Sequence, residues 1–77
     1  MKLKIVFKAS LKRYSNSSDG IDNISIDGPA TIQDIIDLYG ISPLDVGITI
    51  INGKMVPRST FLKDNDVVEL FTMLKGG

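Results

Sequence analysis

The sequence predicts an α+β fold in which one main helix packs across a mixed sheet of four to five strands. Three observations carry that expectation. A chain of 77 residues buries only roughly 60 to 65% of its unfolded surface, which leaves room for a single core. Apolar and polar residues alternate near both ends, the mark of half-buried strands. Between those ends one stretch, residues 31–39, carries apolar residues at helical spacing.

The first strand is read from "KLKIVFKASL", which sets Leu3, Ile5, Phe7, Ala9 and Leu11 on one side against Lys2, Lys4, Val6, Lys8 and Ser10. "KRYSNSSDG" breaks that alternation with Ser, Asn, Asp and Gly, and reads as a long solvated loop. Alternation resumes at Ile24 and Ile26, so the second strand is expected to pair antiparallel with the first. In "PATIQDIIDLYG", Thr31 is placed to cap a helix with Asp34 three residues on. Ile32, Ile35, Ile36 and Tyr39 then form its buried stripe, and Gly40 stops it. Ser42 and Pro43 suit a single helical turn before "ITII" opens a third strand. Asn52-Gly53 is the strongest hairpin signal in the chain, because both residues accept positive φ, and "KMV" is the returning strand. Pro57 cannot donate to a ladder and ends that strand, "FLKDND" turns again, and "VVELF" closes the chain's last strand.

The order strand, strand, helix, strand, strand, strand does not suit a doubly wound fold and does suit a β-grasp. In that arrangement the last strand lies centrally beside the first. Val68 and Leu70 then face the core, and Val67, Glu69 and Phe71 face away, which makes Phe71 an exposed aromatic beside the chain's end. The expected organisation is one domain over residues 1–74 and a flexible Gly-Gly tail over 75–77.

Composition excludes several functions. Nine basic residues balance nine acidic ones, so nothing draws the chain electrostatically to nucleic acid. Without Cys or His there is no disulfide, no Cys/His metal site, no thiolate-held cluster of the plant-ferredoxin kind and no imidazole base. No continuous apolar block is long enough for a signal peptide or a membrane span, and the expected location is the cytoplasm.

The last third, "INGKMVPRSTFLKDNDVVELFTMLKGG", resembles the MoaD and ThiS family of ubiquitin-like sulfur carriers. The matching features are an apolar pair before Asn, the "VPR" stretch with Phe61 a few positions later, a "KDGD"-type turn, "ELF" and the terminal Gly-Gly. Two departures stand out. Thr72 and Met73 replace the two prolines of MoaD-like chains, and Asn65 replaces the usual turn glycine, a position where Asn tolerates the left-handed conformation.

The resemblance implies a carrier that is not itself an enzyme and binds no cofactor. A ubiquitin-activating-type adenylyltransferase would use ATP to adenylate the Gly77 carboxylate, which a sulfur donor would convert to a thiocarboxylate. The sulfur would pass to a synthase subunit, either the molybdopterin (or tungstopterin) synthase large subunit or thiazole synthase. An α-carboxyl group titrates at about 3.5, so the reacting group is ionised at neutral pH. Gly76 and Gly77 lack a Cβ and suit a narrow channel, with Lys75 beside them. Phe71, Met73, Leu74, Arg58 and Phe61 are the expected partner-binding residues, and the free protein is expected to be a monomer. Two other classes use the same fold: a modifier joined to lysines through Gly77, and a plain interaction module.

Overall fold

In a computed structural model that describes residues 1–73, the chain forms β1 (Lys2–Phe7), a 3-10 helix (Ala9–Tyr14) and β2 (Ile21–Ser25), followed by α1 (Ile32–Leu38) and a 3-10 turn (Pro43–Asp45). β3 (Val46–Ile51), β4 (Lys54–Met55) and β5 (Asp66–Thr72) complete it. The five strands make one sheet in the order β2-β1-β5-β3-β4. β1 and β5 run parallel, and the other neighbours are antiparallel. This is the expected β-grasp, with the last strand central and paired with the first. Leu74, Lys75, Gly76 and Gly77, and with them the expected tail at 75–77, lie outside the described residues.

Local chemistry accounts for most of the elements. Thr31 Oγ1 accepts the Asp34 N–H at 3.2 Å and Asp34 Oδ2 accepts the Thr31 N–H at 2.8 Å, a reciprocal capping box that starts α1. Ile32, Ile35 and Ile36 are fully buried, Tyr39 is half-buried, and the turn that ends the helix places Gly40 at φ +67°. Ser42 stands at the N-cap of the next turn but makes no side-chain cap bond, so Pro43 sets that turn. Asn52 at φ +50° and Gly53 at φ +84° form the tight β3–β4 turn, and Asn65 adopts φ +69° as anticipated.

Two expectations are corrected, and one open question, the buried face of β3, is answered. The alternation of β1 does not run to Leu11, because the ladder ends at Phe7 and the chain turns into the 3-10 helix. Ala9 is exposed at φ +51°, and Leu11 reaches the core from that helix rather than from a strand. Ile24 and Ile26, expected in the core, are half-buried at its margin, since β2 is an edge strand. In β3 the polar residue goes inward. Thr49 is buried and its Oγ1 donates to the Val56 carbonyl at 2.5 Å, while Ile48 and Ile50 lie half-exposed on the open face.

Burial of Asp22 was not foreseen from the alternation. Its carboxylate accepts Ser15 Oγ at 2.6 Å, Tyr39 Oη at 2.8 Å and the Asn16 N–H at 3.0 Å, tying the polar loop and the end of α1 to β2. Burial alone would raise its pKa, but the hydrogen bonds from Asn16, Ser15, Tyr39 and Ser17 outweigh that and lower it from 3.8 to about 2. Burial and the Asp22 charge push the Tyr39 phenol up.

A carboxylate whose folded pKa is depressed stabilises the fold above its unfolded pKa, and that contribution disappears as pH falls through the folded value. Stability from Asp22 is therefore complete above about pH 5 and lost between about pH 4 and 2, amounting to about 2 kcal/mol. Urea midpoints across that range should converge for wild type and Asp22→Asn, with the variant about 1–3 kcal/mol less stable at neutral pH. A constant gap at every pH would contradict the assignment.

Candidate functional site

The candidate site is where β5 leaves the sheet. Within β5, Val68 and Leu70 are fully buried beneath α1, and Val67, Glu69 and Phe71 lie on the opposite, open face, as the period of two requires. Phe71 is half-buried rather than fully exposed. It pairs in register with Ile48, and the Lys8 ammonium lies 5.9 Å from its ring centroid. Lys8 also approaches Glu69 at 3.8 Å. Ile51 pairs with Val68, and Met55 pairs with Ile50, both farther along β3 from Phe71. Val6, Ile48, Ile50, Val67 and Phe71 thus line the open face as a half-exposed apolar strip interrupted by Glu69, and Met73 beyond Phe71 is 47% exposed.

The exit is held by backbone. The Met73 N–H donates to the Asp45 carbonyl at 3.0 Å, and Val46 pairs with Thr72 beyond a bulge between Val46 and Ile48. Gly47 sits in that bulge. A Cβ there would lie 2.8 Å from Met73 Cα and 2.9 Å from the Thr72 carbonyl oxygen, closer than any ordinary contact. Gly47 was not singled out from the sequence, because its reason is a close approach between residues far apart in the chain. The preceding bulge-prone "DVGI" is the one local signal.

The expected site residues divide between the two ends of the sheet. Arg58 is half-buried and its guanidinium donates to the Val46 carbonyl, while its own carbonyl accepts the Gln33 N–H at 3.0 Å. It braces β3 and α1 near the exit, where Val46 pairs with Thr72. Phe61 is 65% exposed but borders a shallow pocket with Ile51, Asn52, Lys54 and Asp66 at the start of β5. That end lies about 20 Å from Thr72 along the strand, so Phe61 does not join Phe71 and Met73. Asn52 locks the same end: its side chain donates to Asp66 and accepts the Val67 N–H, both at 2.9 Å. The conspicuous "ING" and "KDND" stretches therefore join β3 to β5, and "VPR" ties β3 to α1.

The model of the ThiS family matches residues 12–77. The chain belongs to the ThiS family. As a member it is a ubiquitin-like sulfur carrier, of a family of small carrier proteins. Solved structures share its fold. SAMP1 from Haloferax volcanii is 23% identical with a TM-score of 0.72, each chain covered in full. A putative molybdopterin converting factor subunit 1 from Pyrococcus furiosus is 21% identical with a TM-score of 0.70, over 92% of this chain and 95% of that one. A complex of subunits 1 and 2 of the molybdopterin-converting factor from Helicobacter pylori contains a chain 18% identical with a TM-score of 0.63, both chains covered in full. No curated protein matches the sequence. Among the described residues of this ThiS-family chain, no helix is long and apolar enough to cross a membrane.

Because backbone atoms of Thr72 and Met73 crowd Gly47, Gly47→Ala should lower stability by about 1–3 kcal/mol and shift the amide resonances of Thr72 and Met73. An unchanged urea midpoint would show that the exit accommodates a side chain.

Proposed function

We propose that this chain carries sulfur on the carboxyl group of Gly77. The observation that supports the reading best is the family match, which includes residue 77. In the proposed cycle a carboxylate oxygen of Gly77 attacks the α-phosphate of ATP in a partner adenylyltransferase, and pyrophosphate leaves. A sulfur nucleophile then displaces AMP and leaves a thiocarboxylate. That sulfur is passed to a synthase subunit, for a pterin dithiolene or a thiazole, in the cytoplasm.

Each part of the chain has a role in this reading. Leu74, Lys75 and Gly76 enter the partner's channel, where two residues without Cβ let backbone approach phosphate closely. Phe71 and Met73 supply apolar anchors at the channel mouth, and the Lys8–Glu69 pair beside Phe71 stands at their rim. A synthase subunit as partner is in keeping with the Helicobacter pylori complex of subunits 1 and 2. ATP is bound by the activating enzyme, and the carrier brings no cofactor of its own.

Deleting Gly77 should abolish ATP–pyrophosphate exchange by the cognate adenylyltransferase and change folding stability by no more than a few tenths of a kcal/mol. Exchange that persists in the truncated chain would rule out its carboxylate as the reacting group. Phe71→Ala should weaken binding to that enzyme by about 2 kcal/mol or more. Its half-buried ring should make the folding cost smaller than the 3–5 kcal/mol typical of a buried phenylalanine, about 1–2 kcal/mol. A large stability loss with unchanged affinity per folded molecule would assign Phe71 to the fold alone.

A further inference from the structure

The sheet has two edges, and only one is closed. On the β4 side the edge strand has two residues, and beyond it the Val56 N–H donates to the Thr49 carbonyl at 3.0 Å and Arg58 caps the Val46 carbonyl. On the other side stands β2, five residues long, with no proline, no lysine and no bulge. Those are three of the usual devices by which an edge avoids pairing with another chain; a fourth, an inward-pointing charge, is present in Asp22, whose carboxylate is taken up by Ser15, Asn16 and Tyr39.

The register identifies which groups are open. Met1 and Ile26 exchange both hydrogen bonds at 2.9 Å, and Phe7 donates to the Gly20 carbonyl at 2.8 Å. Antiparallel alternation then turns Asp22 and Ile24 toward β1 and turns the backbone groups of Ile21, Asn23 and Ser25 outward. The Ile21 N–H is taken by Asp19 Oδ1 at 3.0 Å, which leaves the N–H groups of Asn23 and Ser25 free among the described residues. Both residues are exposed.

The two faces beside this edge differ in chemistry. On the helix side Ile24 and Ile26 are half-buried and present aliphatic surface. On the open side Asn23 and Ser25 are short and neutral, and their partners across the ladder are Lys4 and Lys2. Both lysines are exposed, and among the described residues neither ammonium has a carboxylate at ion-pair distance. The nearby Asp64 accepts the backbone N–H of Lys2 instead, at 2.6 Å.

We propose that the outer edge of β2 receives an extended segment of a partner protein in which aliphatic and carboxylate side chains alternate. The segment's backbone pairs with Asn23 and Ser25, its aliphatic side chains cover Ile24 and Ile26, and its carboxylates meet Lys2 and Lys4. A strand added there lies about 10 Å, two strand spacings, from β1, a gap that a lysine and a glutamate side chain span together. Backbone pairing supplies the general attraction, and the face-by-face alternation supplies the choice of sequence. This surface is separate from the Phe71 strip and does not rest on the chemistry of Gly77.

The probe is an acetylated, amidated heptapeptide alternating Glu and Val, titrated into the full chain labelled with nitrogen-15, with a Gln-for-Glu peptide beside it. Shifts should concentrate at residues 21–25, and exchange of the Asn23 and Ser25 amides should slow. The Gln peptide should bind roughly tenfold more weakly, and so should the Glu peptide to the Lys2→Glu, Lys4→Glu double variant. Asn23→Pro removes an outward N–H without touching the β1 ladder and should abolish binding. Should that variant fail to fold by its own spectrum, the lysine variant decides. Absence of shifts at about 1 mM peptide, equal affinity for the two peptides, or shifts at Val67 and Phe71 instead would overturn the proposal. So would concentration-dependent shifts at β2 without peptide, which would make a second copy the occupant.

Discussion

The parallel pairing of β1 with β5 is the constraint on which the rest of the structure depends. Leu3, Ile5 and Phe7 stand opposite Asp66, Val68 and Leu70, so the two strands present one continuous buried surface to α1. A parallel pair cannot be closed by a hairpin, and the chain must cross the sheet between its two members. α1 lies on that crossing, and its isoleucines fill the space the crossing encloses. β3 then has a single place left, antiparallel on the free side of β5, and β2 flanks β1 as an edge. Because β5 is central, its end at Thr72 and Met73 stands in the middle of the sheet, against Asp45 and Val46.

The parts of this fold written in short-range chemistry were legible in the sequence. The capping box of Thr31 and Asp34, the Asn52-Gly53 turn and the alternation of Val68 and Leu70 each involve neighbours within a few positions. What was misread depends on partners far away. Period two continued to Leu11 on paper, yet a strand ends where its ladder partners end, and Leu11 is buried by a different local structure. Ile24 and Ile26 carry a core pattern but sit on an edge, where half of their surroundings is missing. The buried face of β3 was not legible in "ITII" at all: Thr49 turns inward between two outward isoleucines because β5 and Val56 set the register of β3.

The candidate site was legible in the same uneven way. The "VPR" and "KDND" stretches pointed to the right family, and their side chains are occupied in holding it together: Arg58 on Val46, Asn52 on Asp66. Phe71 was assigned to the correct face, though it is more sheltered than an isolated strand would leave it, since Ile48 and Lys8 lie beside its ring. Gly47 and Asp22 carry roles that only the assembled sheet reveals, one by allowing backbone to touch backbone and the other by collecting donors from two segments, the polar loop and the end of α1.

The chemistry proposed for Gly77 is tested most directly by intact mass spectrometry of the protein purified from its own cells without reducing or alkylating treatment. The account predicts a fraction of molecules heavier by the replacement of one oxygen with sulfur, localised by fragmentation to the carboxyl group of Gly77. A population with only the ordinary carboxylate, accompanied by other proteins bearing a branched Gly-Gly remnant on lysine, would contradict it and make the chain a modifier.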